Sequence, residues 1–408
     1  MREPGGVTWG GPAGSVPRVR EATPRPARRQ LDLLTFGLFT VALGTNVPTP
    51  LLLIYRRTLG LSEADLTAIF GCYAIGLIAA LTVSGAASDR FGRRTLVLPF
   101  AVVAGLVSLL FIPAAGSLPL LYTGRLLQGV VSGVVFSVAN AWLQEIAGPE
   151  GQRSAATRGA VSTSLGFALA PAMSGVLAQY GPWPTTLPYL VHVAVLVVGL
   201  AALAAVPETV HERVPGRLLR LGLPRVARRP FWTVLAPTAF GVFAFPAVAA
   251  TLLPLLVVPG GVGVAYAGLI AGTALAASAV TARLGRSAGP GAAPLGMLLG
   301  AAGYALGVAA VALHAEPLLL PSAALLGGGG GLCLTAGLTL TAALAPPDTR
   351  GAMNSAFYAF AYAGFGVPLL LAWLGDAVGP VAALATVTAV ALGLTGWLAV
   401  DVRRERVG

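Results

Sequence analysis

Apolar residues along this chain come in long blocks, each about the ~20 residues that a helix needs to cross a bilayer, and short segments rich in Gly, Pro and Arg divide them. No period-two alternation of apolar and polar positions marks a strand. The blocks predict helical spans over 31–53, 65–86, 95–114, 118–141, 155–179 and 186–206, then 231–257, 264–284, 292–313, 317–343, 352–374 and 378–400. The expected fold class is an all-α membrane protein, with twelve transmembrane helices in two six-helix bundles.

Domain organisation follows from the same pattern. Residues 1–30, rich in Pro, Gly and Arg, are expected to form a disordered cytoplasmic tail. The first bundle covers 31–206, an arginine- and proline-rich cytoplasmic linker 207–229, the second bundle 230–401, and a charged tail 402–408. The first apolar block is full length and no small-residue cleavage site follows it, so a secretory signal is not expected.

Charge narrows the picture. Only 10% of residues are charged and 56% are hydrophobic, whereas a water-exposed domain carries roughly 25% charged residues. The net charge of +11 comes from arginine alone, and the arginines cluster between apolar blocks instead of along one face. Lipid is therefore the expected partner, and nucleic acid is not. With the amino terminus inside, every arginine except Arg56, Arg57 and Arg125 falls on the cytoplasmic side of a twelve-span chain. The positive-inside rule thus predicts a multi-pass protein of the plasma membrane with both termini cytoplasmic. Cys72 and Cys333 sit singly in apolar blocks. Neither a disulfide framework nor a metal-ligand spacing is present, so no metal or cofactor is expected. Arginine in place of all lysine, with abundant Ala and Gly, suggests a GC-rich bacterial genome.

Three segments carry more specific chemistry. Between the second and third blocks the chain reads Gly85-x-x-x-Asp89-Arg90-x-Gly92-Arg93-Arg94, a tight charged loop in which Gly92 would permit a reversal and Gly85 the close approach of a neighbouring helix. The fourth block holds Arg125-x-x-Gln128-Gly129, with Ser132 and Asn140 continuing a polar stripe at helical spacing. An arginine in mid-span costs ~2.5–3.5 kcal/mol on insertion scales, so it should face protein or a water-filled cavity. The fifth block reads Gly166-x-x-x-Ala170-Pro171-x-x-Ser174-Gly175: small residues for close packing, and a proline expected to bend the helix.

The first of these segments resembles the loop between helices two and three of the major facilitator superfamily of secondary transporters, with Ala87 where the family pattern has leucine. The second resembles the Arg-x-x-Gln-Gly motif of its exporters. The third is similar to the motif of its drug–proton antiporters, with Ala170 and Ser174 replacing two glycines. Val206-Pro207-Glu208-Thr209 resembles a further family signature at the end of span six. The resemblance implies a twelve-span transporter working by alternating access, with protons and a small-molecule substrate as its partners, Asp89 latching onto the amino end of span eleven, and Arg125 assisting proton transfer or holding substrate.

The remaining candidates come from the residues themselves. Asn46, Phe243, Asn354, Tyr358 and Tyr362 are expected to line a substrate cavity suited to a lipophilic or aromatic compound. The other ionisable groups in or near spans are His192 and, near the inner edges, Asp32 and Glu145; Asp32 also fits the complement of a helix amino terminus. Asp348 or Thr349 could cap span eleven. The overall expectation is a monomeric, non-enzymatic, proton-coupled exporter of amphipathic compounds. A facilitator or importer of a sugar or other neutral metabolite is the alternative. A membrane enzyme is disfavoured because no His/Asp/Glu cluster converges in the loops, and an inert scaffold would not need Arg125 and Pro171 within spans.

Overall fold

A computed structural model describes residues 25–210, 229, 231–257, 261–285, 289–344 and 350–407. Among these are eleven helices long and apolar enough to cross a membrane. One of them, Leu118–Tyr180, runs for 63 residues and contains a non-helical residue, Gly148, at φ 67° and ψ 176°. At ~1.5 Å rise per residue that length is about three bilayer cores. It therefore comprises spans four and five, and the traverses number twelve among the described residues. Large apolar side chains such as Ile75, Leu106, Val197 and Val280 remain exposed on the outer surface, as lipid contact requires. Exposed Tyr180, Trp183 and Trp373 mark one end of the bundle and Trp232 and Trp397 the other, the placement of interfacial aromatic belts.

The helix ends have local causes. Span one is built from Arg25–Thr45 and Pro48–Leu59, and closes on Gly60 in the left-handed region. Ser62 and Asp65 form a reciprocal capping box at the start of span two, Glu63–Phe91. Two reversals at the arginine-rich end rest on single glycines: Gly92, at φ 105°, and Gly148, which Pro149 follows as the first helical residue. These findings correct three expectations. Gly85 to Phe91 is the last part of a helix and not a loop; residues 25–30 belong to span one; and the terminal helix continues to Val407.

Span five continues through Pro171 without a break in its helical φ/ψ. The interruptions fall elsewhere, in spans one, seven and eleven. Span seven, Phe231–Leu256, contains π-helical turns at Phe231–Leu235 and Val248–Leu252, in a segment where Pro237, Pro246 and Pro254 each remove a backbone donor. Span eleven changes to a 3₁₀ turn at Gly364–Gly366.

Close packing depends on backbone-to-backbone contact. In span ten the run Gly327 to Gly331 faces several helices at once. A Cβ on Gly327 or Gly331 would lie 1.9 or 2.1 Å from the Ala274 or Ser278 carbonyl of span eight, and one on Gly330 would lie 2.6 Å from the Val242 carbonyl of span seven.

A polar network ties the arginine-rich ends of the first bundle together. The Glu208 carboxylate accepts from the backbone N–H groups of Arg93 (2.9 Å) and Arg94 (2.9 Å). It thereby caps span three, Arg93–Ala114, from a distant part of the chain. Arg93 bridges Glu145 (2.7 Å) and Asp89 (2.6 Å) and also donates to Ser88. Thr209 donates to Glu145, Arg94 to the Ala204 carbonyl, and Trp142 to the Pro207 carbonyl. The Pro207-Glu208-Thr209 signature is thus an anchor for the Asp89–Arg94 segment.

Partial burial by itself would raise the Glu208 pKa, but N–H donors from Val210, Arg93, Thr209 and Thr95 outweigh it and hold the carboxyl below its usual range. A depressed folded pKa contributes stability that is complete above the unfolded value and is lost as pH falls through the folded one. Glu208→Gln should cost about 1 kcal/mol at neutral pH, as loss of a cap does, and should flatten the acid limb of thermal unfolding in detergent. Superimposable acid limbs for the two proteins would remove Glu208 from this account. Gly331→Leu should lower the melting temperature further, since backbone on the neighbouring helix must move; an unchanged melting curve would contradict the packing described.

Candidate functional site

A cavity of about 440 Å³ lies where the two bundles meet. Its position follows from interruptions in span one. Pro48 has no N–H, so the Gly44 carbonyl loses its helical donor, and the Thr49 N–H turns to the Asn46 carbonyl instead of that of Thr45. Two carbonyls are left facing inward, and span four satisfies both. Gln128 Nε2 donates to the Gly44 carbonyl at 2.8 Å, and Arg125 Nη1 donates to the Thr45 carbonyl at 3.0 Å and to Gln128 Oε1 at 2.6 Å. Arg125 also reaches the Phe70 carbonyl at 3.4 Å, and its guanidinium lies 5.1 Å from the centroids of both Phe70 and Tyr73.

The side chain of Arg125 is only 2% exposed, yet no carboxylate pairs with it among the described residues. Carbonyl dipoles and ring faces carry its charge. It borders the cavity and does not snorkel to the surface.

The expected polar stripe divides by function. Gln128 and Ser132 face span one, Ser132 lying 3.4 Å from the Thr45 hydroxyl, whereas Asn140 lines the cavity. Gly129 lets spans two and four touch: a Cβ there would lie 2.0 Å from the Tyr73 carbonyl. Of the cavity candidates, Asn46, Phe243, Tyr358 and Tyr362 line it. Asn354 lies in the helix Arg350–Ala363, and its side chain is outside the described residues. Residues 345–349, and with them the expected cap by Asp348 or Thr349, lie outside the described residues.

The two bundles contribute unequally. Polar groups, Thr45, Asn46, Arg125, Ser137, Asn140 and Thr163, come from the first. Aromatic rings come from both: Phe70, Tyr73, Phe136 and Phe167 from the first, and a stacked group from the second. Phe243 stacks on Tyr362 (4.7 Å, 10° between planes) and on Phe365 (4.9 Å, 16°), and Tyr362 and Phe365 are parallel within 6°. Phe365 also meets Phe70 (5.4 Å) and Tyr73 (6.0 Å), which joins the stack to the ring faces under Arg125. Sequence reasoning missed Phe365, Phe70 and Tyr73. The signal for Phe365 was its place between Gly364 and Gly366 in mid-span. Gly364 lets span eleven close on span seven, where a Cβ would lie 2.6 Å from the Phe240 carbonyl.

The Gly166–Gly175 segment serves another purpose. Gly166 packs on span one, and Pro171 and Gly175 pack on span eight. A Cβ on Gly268 would lie 2.2 Å from the Pro171 carbonyl, and one on Gly175 2.7 Å from that of Val264. Ala170 and Ser174 are buried in the same stretch, with the Ser174 hydroxyl turned to the Pro171 carbonyl. Gln179 Oε1 accepts from the Ala265 N–H at 2.8 Å, and Leu53 sits under Gly261. These contacts seal the bundles together at the end away from the arginine clusters.

The arginine-rich end is looser. Among the described residues nothing lies within 4 Å of a Cβ built on Gly85. Asp89, half exposed, pairs with Arg93 of its own bundle, and Arg90 lies over the Phe91 ring. A wide groove at this end runs between spans one and five and reaches Arg283 of span eight. On its wall Asp32 bonds Arg158 at 2.5 Å, an exposed pair between spans one and five. The Asp32 side chain therefore pairs across helices, a role different from the helix-end complement expected of it.

His192 is fully buried between spans one, three and six. Nε2 is 3.1 Å from the Thr40 carbonyl, which can only accept, so Nε2 carries the proton and Nδ1 accepts from the Ser108 hydroxyl at 2.8 Å. Both ring nitrogens are committed to packing the bundle.

Comparison with known proteins agrees with this architecture. Residues 34–367 match the model of the Major Facilitator Superfamily. A protein of Salmonella typhi named "Putative multidrug resistance protein MdtD" is 29% identical over 201 residues, 48% of this chain and 42% of that protein. Its counterpart in Klebsiella pneumoniae is 29% identical over 186 residues, 45% of this chain and 39% of the relative. The chain thus aligns with less than half the length of these relatives. Among solved structures, a POT family transporter in complex with a thioalcohol-conjugated peptide superposes with a TM-score of 0.74 at 14% identity, covering 92% of this chain and 96% of the other. A bacterial homologue of the human lysosomal transporter Spinster gives a TM-score of 0.69 at 16% identity, over 94% and 96% of the two chains. The match along most of the sequence, with the helical architecture, makes this chain a member of the major facilitator superfamily.

Proposed function

We propose that this protein exports small amphipathic or lipophilic compounds across the plasma membrane by alternating access, driven by protons. The observation that carries the reading is the cavity between the bundles, ringed by aromatic side chains from both, with the one charge among its described lining residues from the first, sealed at one end by close helix contact and open as a groove at the other. Arginine clustering supports assigning the loose end to the cytoplasm, with both termini there. The conformation is then the one that loads from inside. Closure of that end would bring the second bundle against Gly85 and Asp89, and the seam of Pro171, Gly175 and Gly268 would part. The names of the bacterial relatives support efflux as the direction.

A facilitator of neutral compounds is the second reading, favoured by one observation: no carboxylate or imidazole lines the cavity among the described residues. Asp32 and Glu150, on the groove at the arginine-rich end, are the carboxylates that a coupling proton would reach in the first reading.

Dye quenching in everted vesicles, with a panel of neutral and charged aromatic compounds, tests export. Substrate-dependent proton release is expected in reconstituted liposomes, and counterflow without proton movement would assign the facilitator instead. Asp89→Asn should lower transport with insertion unchanged; full transport by that variant would remove the gate. Tyr362→Ala should reduce transport by about tenfold, in line with loss of a buried aromatic contact, and an unaltered rate would place the substrate elsewhere.

A further inference from the structure

The cavity has a single formal charge among its described lining residues, that of Arg125. Three of its five N–H groups are engaged, by the Thr45 and Phe70 carbonyls and Gln128. Those partners are neutral, and no carboxylate pairs with the guanidinium among the described residues. A second donor lies nearby: Thr163 lines the cavity, and its hydroxyl is enclosed without a hydrogen-bond partner, so a rotation about χ1 would be what presents it to a guest. Asn140 has already turned an amide N–H to the Phe136 carbonyl at 2.7 Å.

Aromatic walls ordinarily attract cations to their ring faces. Here the two rings nearest the polar side, Phe70 and Tyr73, already hold a cation, the Arg125 guanidinium, 5.1 Å from each centroid. A cationic guest would meet a like charge, with no carboxylate among the described lining residues to offset it. An anionic guest would complete the pairing that Arg125 lacks. The opposite wall sets the shape. Phe243, Tyr362 and Phe365 lie within 16° of a common plane orientation, so a flat ring extends the stack whereas a puckered one loses contact on one side.

We propose that the cavity selects planar aromatic compounds bearing a carboxylate or similar anionic head, seated with the head toward Arg125 and Thr163 and the ring against Phe243, Tyr362 and Phe365. This rests on the transport reading above for its biological sense, though not on proton coupling, and excludes lipophilic cations as preferred cargo.

Equilibrium binding to the purified full chain at neutral pH, with naphthoate, naphthylmethanol, naphthylmethylammonium and decalin carboxylate as probes, tests it. Naphthoate should bind at least about tenfold tighter than the ammonium compound, with the alcohol between, and at least about fivefold tighter than the saturated acid. A cation that binds as tightly as naphthoate, a decalin acid that matches it, or binding by none of the four would each overturn the proposal. Arg125→Gln should abolish the preference for naphthoate over the alcohol, whereas Tyr362→Leu should weaken every flat probe alike. Should Arg125→Gln not fold, the probe series on the unaltered chain decides the matter alone. Counterflow in liposomes separates the two readings. Naphthoate binding without counterflow removes transport and leaves the selectivity standing, whereas counterflow confined to the ammonium probe overturns the selectivity and leaves transport standing.

Discussion

A backbone carbonyl freed inside the apolar slab must find a donor from the protein, because lipid offers none. That requirement organises the centre of this molecule. Pro48 interrupts span one, and the carbonyls of Gly44 and Thr45 are taken by Gln128 and Arg125 of span four. A charged side chain that would otherwise be costly to bury is held by the same bonds. Irregular backbone and the ionisable group therefore occur together, and the cavity forms beside them.

The second constraint is how closely helices approach. Where glycine and other small residues face each other, as at Gly175 and Gly268, main chains touch and exclude water. Away from that seam, at the arginine-rich end, a groove opens between spans one and five and reaches Arg283. The seam of spans five and eight is made of short side chains with little interdigitation to undo, which suits an interface that must open and close. The network of Glu208, Arg93, Glu145 and Asp89 lies wholly within the first bundle. It ties spans two, three and four and the end of span six into one connected unit.

The placement of the charged group and of the stacked rings has a structural origin as well. The first bundle must supply donors to its broken helix and so brings polar side chains to the midplane. In the second bundle span eleven is interrupted by a 3₁₀ turn flanked by Gly364 and Gly366, and this turns Phe365 into the gap where Phe243 and Tyr362 stack on it. The charged group follows from hydrogen-bonding need and the stack from a glycine-permitted contact.

The amino-acid sequence determined the number and order of the spans, because a run of about twenty apolar residues has few stable options other than a membrane helix. It also identified Arg125, Pro171, Asp89, Phe243, Tyr358 and Tyr362 as residues out of keeping with plain lipid-facing helix. Tertiary structure decided what each of them touches. Only the fold shows that both His192 nitrogens are hydrogen-bonded, and that Gly85 to Phe91 is helix while Gly92 alone supplies the turn. Phe70, Tyr73 and Phe365 are apolar residues within apolar blocks, so nothing in their local pattern separates a ring that lines a cavity from one that faces lipid. Only the packing of distant helices draws that distinction, since it fixes which face of each rod meets protein, water or the bilayer.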